Sequence, residues 1–232
     1  MNEYHKQSMK QRFNYLVSRA VRGANIFNPL LVARREMCVN AAKKEMEGKT
    51  FCFDGIALPY SYFSYNSTYG SERAIEISIG KYFLDTRDDV LEVGNVMSHY
   101  LPASHFVIDK YEKSSYINLI NADICDVQCR KFKNILSIST LEHVGFDEPE
   151  KDPTKFYSAL ERIKGLLIEG GEALITVPWG YNPCVDDYIK NSSCLLYSRE
   201  GREWKSSSLE QIKDKTFGAK YSCANAIAVI RL

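Results

Sequence analysis

The hydrophobic positions of this chain change period partway along it. From His5 to Arg22 the apolar residues Phe13, Leu16, Val17, Ala20 and Val21 recur at helical spacing, with Lys10, Arg12, Arg19 and Arg22 around the other face, which predicts a helix. A second helix is expected after Pro29, from Leu30 to about Glu47, closed by Gly48. Beyond Asp88 the pattern becomes that of strands, at 89–94, 104–109, 117–121, 134–139, 172–178 and 225–231. One further helix is expected from about Thr154 to Leu167, ending at Glu169-Gly170-Gly171. Strands that alternate with helices imply an α/β fold: a doubly wound, mostly parallel sheet covered on both faces, here with an N-terminal helical extension.

Between the two regimes lies an aromatic-rich stretch. Five aromatic residues fall from Tyr60 to Tyr69 among Ser, Asn and Gly, too polar for a core strand and too aromatic for an idle loop. Such residues build stacking and hydrogen-bonding surfaces for a ring-shaped ligand, and they equally build a packed loop or a subunit contact. The chain therefore divides into a basic helical extension (1–50), an aromatic connector or substrate cap (51–85) and a Rossmann-like domain (86–232).

Composition narrows the partners. At 232 residues, 45% hydrophobic and 25% charged, with a net charge of +1, the chain is an ordinary globular protein with no electrostatic signature of nucleic-acid binding. Residues 1–50 nevertheless carry ten Lys or Arg against four Asp or Glu. Those basic helices are either a solvated face over a packed stripe or a peripheral contact to an anionic membrane or a phosphorylated substrate. The seven cysteines are scattered, odd in number and without a CxxC pair, as expected for reduced thiols. With no apolar run of about 18 residues and no signal-peptide pattern, the expected location is cytoplasmic. No His, Cys and carboxylate triple has metal-ligand spacing, so no metal is expected. The expected partners are a small-molecule or glycan acceptor and a second copy of the chain in a homodimer.

Candidate chemistry concentrates between Asp88 and Asp109. A strand ending Leu91-Glu92-Val93-Gly94 is followed by a second, Phe106-Val107-Ile108, that ends in Asp109. In an open parallel sheet, ligands lie outside the carboxyl ends of the strands. A carboxylate ending the second strand can accept two hydrogen bonds from a ribose diol, and a glycine after the first lets backbone approach the ligand. Asn121-Ala122-Asp123-Ile124 then follows the third strand, Ser137 to His143 the fourth, and Gly170 to Pro178 turns into the fifth.

This ordered set resembles the class I S-adenosylmethionine-dependent methyltransferases over roughly residues 85 to 232. It is similar to members associated with sugar or surface-polysaccharide assembly, which carry comparable YN-T, ER and GYNP segments. The resemblance implies a seven-stranded sheet, S-adenosylmethionine as cofactor and methyl transfer to a hydroxyl of a sugar or sugar-linked acceptor. It implies that Glu92 and Gly94 lie beneath the amino-acid end of the cofactor, that Asp109 binds the ribose beside Lys110, and that Asp123 and Ile124 face adenine. Ser139, Thr140 and Leu141 would line the mouth beside the sulfonium, a cation suited to carboxylates and aromatic faces with no opposing lysine. The family's GxGxG turn is absent, since Gly94 is followed by Asn95, Val96, Met97 and Ser98. Val96 narrows the approach unless the loop takes another path, with Asn95 left-handed.

His143 is the candidate general base and Glu142 its orienter or substitute; the alternative is a structural pair at a helix start. Trp179, Tyr181 and Asn182 are candidates for acceptor stacking and hydroxyl binding, or Trp179 covers the sheet edge. Tyr65, Asn66, Glu72 and Arg73 are further acceptor-binding candidates, Glu72 and Arg73 also reading as a buried ion pair. Two competing functions remain: a scaffold that keeps the sheet without turnover, and a nicotinamide enzyme, disfavoured by the missing GxGxxG.

Overall fold

The computed structural model describes residues 29–113, 118–218 and 223–232; the helix expected at His5 to Arg22 and the first residue of the strand expected at 117–121 lie outside them. The first element is helix α1 (Pro29–Glu45), which ends in Lys43 and Lys44, cations that suit its C-terminal dipole. One stripe of it is covered: Val39 and Ala42, with Met46 just beyond, pack on Tyr62 and Ala74.

The connector is structured. Strands β1 (Thr50–Phe53) and β2 (Ile56–Pro59) form an antiparallel hairpin. Asp54 and Gly55 turn it, both at positive φ, the two-residue Asp-Gly solution that matches strand twist. A 3-10 segment over Tyr65–Gly70 leads to helix α2 (Arg73–Thr86).

Strands β3 (Val90–Val93), β4 (Phe106–Ile108), β5 (Asn118–Ile120), β6 (Phe132–Ile138), β7 (Leu167–Pro178), β8 (Leu195–Glu200), β9 (Glu203–Ser207) and β10 (Ala226–Arg231) make one sheet in the order β5-β4-β3-β6-β7-β10-β8-β9. The five from β5 to β7 are parallel, and β10, β8 and β9 follow in antiparallel pairings. The doubly wound, mostly parallel α/β class is as expected, with eight strands in place of seven. The pair beyond the six strands read from the hydrophobic pattern is the β8–β9 hairpin, whose sequence Leu-Leu-Tyr-Ser-Arg-Glu-Gly-Arg-Glu-Trp is too charged to read as strand. Helix α3 (Lys155–Leu166) ends where β7 begins, so Gly170 and Gly171 lie inside a strand and do not end the helix. A Cβ on Gly171 would fall 2.6 Å from the Lys133 carbonyl, beside the irregular start of the β6–β7 pairing.

Two cores follow from the two-residue period of the strands. Leu91 and Val93, Ala173, Ile175 and Val177, and Ala226, Ala228 and Ile230 face one side, under α3, α4 (Pro183–Lys190) and α5 (Leu209–Ile212). Val90, Leu136, Ile138, Leu174, Ile227 and Val229 face the other, under α2 and the hairpin. Phe51, Phe53 and Ile75 belong to that second core, so the connector and the sheet share their packing. The chain runs outward from β3 to β5, then crosses to β6 on the far side of β3. The β3–β6 boundary is therefore the topological switch point, where such sheets open a ligand crevice.

Helix α3 buries Phe156, Ala159, Leu160, Ile163 and Leu166, a stripe at helical spacing. Phe156→Ala is expected to cost about 3–5 kcal/mol through a core cavity, seen in urea unfolding as a lower midpoint at unchanged slope.

Candidate functional site

A crevice of about 430 Å³ opens at the carboxyl ends of β3 to β6, as the switch point requires. Val93, Ile108, Ala122 and Ile124 give it an apolar floor, while Asp109, Lys110, Asp123, Asp147 and Glu148 give it a charged rim. Gly94, Tyr111, Ser139, Thr140, His143 and Val144 complete the lining. Asp109, Asp123 and Ile124, named from sequence, thus meet at one opening with Ser139 and Thr140.

The turn after β3 explains how the crevice forms without a glycine-rich loop. Gly94 has φ 84°, and a Cβ there would stand 2.1 Å from Thr140 Oγ1. The next three backbone N–H groups all donate to carboxylates of the chain itself. Asn95 N donates to Asp109 Oδ2 at 3.0 Å, and Val96 N and Met97 N to Glu92 Oε1 at 3.0 and 2.7 Å. Glu92 is fully buried, and its other oxygen meets His105 Nε2 at 2.7 Å. Three expectations change. Glu92 does not line the crevice, because alternation turns it to the α2 face while Val93 faces the ligand side. Asn95 is not left-handed; the positive φ falls on Gly94 and on Ser139, at 35°. Val96 is not a crevice wall either, since it packs into the second core.

Asp109 is half-buried and already accepts three bonds, the two on Oδ1 coming from Tyr111 N at 2.8 Å and Glu112 N at 2.7 Å. A carboxylate offers about four lone-pair sites, so one remains. It can take one ribose hydroxyl, not the two expected from its position alone.

Asp123 sits within a four-charge ring. Lys110 Nζ lies 2.9 Å from Asp123 Oδ2 and 2.8 Å from Glu148 Oε2, and Lys155 Nζ lies 2.6 and 3.1 Å from the same oxygens. Burial raises the Asp123 pKa, but the Lys155 and Lys110 contacts outweigh it and hold the group well below the usual range. Contact with Glu148 chiefly holds Lys110 above the lysine range. The crevice therefore carries Lys110, as the resemblance implies, and Lys155 beside it, each matched by carboxylates. Neither Glu148 nor Lys155 was singled out from sequence; their role arises from a loop that returns to the rim.

His143 lines the crevice with 46% of its side chain exposed. Its Nδ1 bonds Asp147 Oδ2, which also accepts from the Tyr181 hydroxyl at 2.6 Å. Burial opposes the charge on Asp147, yet the Tyr181 and His143 contacts bring its pKa below the ordinary value. A carboxylate on Nδ1 fixes the tautomer and leaves Nε2 as the basic nitrogen. Asp147 was missed because it stands on an irregular turn four residues on, with no strand-end signal.

Glu142 is 1% exposed, its Oε1 3.6 Å from His143 Nε2 and its Oε2 buried without a hydrogen-bond partner. Burial raises its pKa well above the ordinary value, Glu76 adds to this, and Arg73 offsets part. Burial thus favours its neutral form beside the base. Leu141 is fully buried in the core and does not line the crevice.

The acceptor candidates divide. Trp179 is 5% exposed and packs in the core beside the Lys190 ammonium, so it covers the sheet. Asn182 is fully buried: its Oδ1 caps α4 through Cys184 N, and its Nδ2 donates to the Glu142 carbonyl at 3.0 Å. Tyr181 stands edge-on to His143, ring centres 4.9 Å apart. Tyr65 packs against His99 and Tyr100, and Asn66 is exposed at φ 48°. Glu72 accepts from Ala224 N, and Arg73 pairs with Glu76, one turn along the same helix.

Because the folded pKa of Glu142 lies above its unfolded value near about 4.3, its contribution to stability is fully present below that pH and is lost as pH rises toward the folded pKa. Glu142→Gln removes this titration. The variant should gain on the wild type by up to about 1.4 kcal/mol per pH unit across that window. Urea unfolding at pH 4 and pH 7 checks this; an identical difference at both would refute it.

No family model and no curated protein matches the chain. Among solved structures, it is similar to the N-methyltransferase NodS from Bradyrhizobium japonicum WM9, solved with S-adenosyl-L-homocysteine, at 13% identity and TM-score 0.40 over 69% of this chain and 85% of that one. It is also similar to the 1,6-didemethyltoxoflavin-N1-methyltransferase of Burkholderia thailandensis (14% identity, TM-score 0.39, 68% and 75% covered). An rRNA methylase from Streptococcus thermophilus matches at 13% identity and TM-score 0.40, over 66% of this chain and 94% of that one. Likeness at this level assigns neither family nor activity.

Proposed function

We propose that this protein transfers a methyl group from S-adenosylmethionine to a hydroxyl of a small acceptor, a sugar or sugar-linked intermediate. The observation that carries the reading is the crevice at the β3–β6 switch point with the Asp109 carboxylate on its rim. Its volume of about 430 Å³ lies within the usual span of small-ligand sites. Its apolar floor suits a purine, and Thr140 lies so close to Gly94 that no side chain fits there.

The charge balance fits the same ligand. Asp109, Asp123, Asp147 and Glu148 against Lys110 and Lys155 leave two negative charges around the opening, a field that favours a sulfonium over its neutral thioether product. A dinucleotide is disfavoured, because the N–H groups of Asn95, Val96 and Met97 are spent on Asp109 and Glu92 and cannot cradle a pyrophosphate.

The cofactor would be held by Asp109 at the ribose and by Ile108, Ala122 and Ile124 at the base; when bound it supplies an electrophilic methyl. The chain's own part is alignment and proton removal. Asp147 holds Nδ1 of His143 and leaves Nε2, 3.6 Å from Glu142 Oε1, to accept the hydroxyl proton, and the resulting imidazolium is stabilised by Asp147. Burial disfavours the charged form of Glu142, which limits its pull on that proton. Tyr181 is positioned to flank the acceptor. The sugar class draws on the YN-T, ER and GYNP segments.

Isothermal titration of the full chain is the test. S-adenosylmethionine should bind more tightly than S-adenosylhomocysteine, and Asp109→Ala should weaken both by about tenfold or more. A folded protein that binds neither refutes the reading. In a transfer assay with sugar acceptors, His143→Gln should lose about a hundredfold or more in turnover; tight binding with no transfer would favour a binding protein without turnover.

A further inference from the structure

Ser139 is a non-glycine residue in a left-handed conformation, φ 35°, at the point where β6 ends and the crevice wall begins. A side chain in that region is strained and persists only where its surroundings over-determine it. Here every polar group of the residue is engaged. Its Oγ donates to Glu76 Oε1 at 2.5 Å, its N to Thr176 O at 2.9 Å and to Thr176 Oγ1 at 3.2 Å, and its carbonyl accepts from Arg73 at 3.4 Å. Thr176 Oγ1 in turn donates to Glu76 Oε1 at 2.8 Å. Arg73 Nη1 holds both Glu76 Oε2 and the Ile138 carbonyl, each at 3.2 Å. Glu76 and Thr176 are fully buried.

We infer that Glu76, anchored by Arg73, is a positioning residue for the crevice: it clamps Ser139 in its left-handed turn and so sets Thr140 against Gly94. Neither Glu76 nor Arg73 lines the crevice; both act from α2, across the sheet from the ligand. A buried carboxylate paired to one arginine and bonded to two hydroxyls is a costly way to pack a helix on a sheet, and the residue it restrains is the strained one. The clamp links the connector to the ligand wall through three elements, α2, β6 and β7. Its consequence for ligand binding rests on the adenosyl reading above; the clamp itself does not.

Glycine adopts a positive φ unaided, so it separates a positioning role from packing. Glu76→Gln must turn its amide NH2 either toward the two hydroxyls or toward Arg73. Binding of S-adenosylhomocysteine by titration should weaken about tenfold, and hydrogen exchange at the amides of residues 139 and 140 in the ligand-free protein should accelerate. Adding Ser139→Gly in that background should recover most of both losses. Thr176→Val, which deletes one hydroxyl without changing the side chain's shape, should produce the same two effects more weakly and serves where Glu76→Gln does not fold; Ser139→Gly should rescue it likewise. Wild-type exchange in Glu76→Gln or Thr176→Val, or losses that glycine fails to recover, overturns the inference. If the wild type binds no adenosyl ligand, the methyl-donor reading falls and the clamp is decided by the exchange measurement alone.

Discussion

The structure depends on how the backbone after β3 is satisfied. A turn from a buried strand into a crevice exposes consecutive N–H groups to a place with little water, and unpaired groups there are costly. A glycine-rich loop leaves such groups for a ligand. This chain hands them to Asp109 and Glu92. The loop is thereby fixed before any ligand arrives, the glycine requirement shrinks to Gly94, and the donors that an anionic ligand would seek are gone.

Carboxylates then divide by face. Those on the α3 side, Asp109, Asp123, Asp147 and Glu148, surround the crevice and are held by lysines, backbone N–H groups and a tyrosine. Those on the α2 side, Glu72, Glu76 and Glu142, share one nearby arginine. Burial, with Glu76 close by, pushes the pKa of both Glu72 and Glu142 upward. The same residue type thus serves as an electrostatic rim on one side of the sheet and as a hydrogen-bonding scaffold on the other. His143 stands where the two meet, with Asp147 on one nitrogen and Glu142 behind the other.

Candidate residues named from strand ends fared according to what a strand end can specify. Asp109, Asp123, Ser139 and Thr140 follow their strands directly, so parity and direction carried them to the crevice. Glu92 lies within its strand, and the same parity sends it to the opposite face. Trp179 and Asn182 read as exposed acceptor ligands by their chemistry, but a long apolar β7 drew the tryptophan into the core and the start of α4 used the asparagine as its cap.

By itself the sequence determined the strand–helix alternation, the fold class, the α3 stripe and the edge of the sheet at which chemistry collects, because hydrophobic period is a local property fixed by backbone geometry. Tertiary structure alone decided the eighth strand, the ion ring at Asp123, the pairing of Asp147 with His143 and the burial of Glu142. The strand, the ring and the burial depend on which distant segment returns to a given atom, and the Asp147 contact on the path of an irregular turn that hydrophobic period does not specify. Ser139 is the sharpest case: its strained backbone is set by partners 63 and 37 residues away in the chain, Glu76 and Thr176, and no local pattern of side chains encodes a contact of that range.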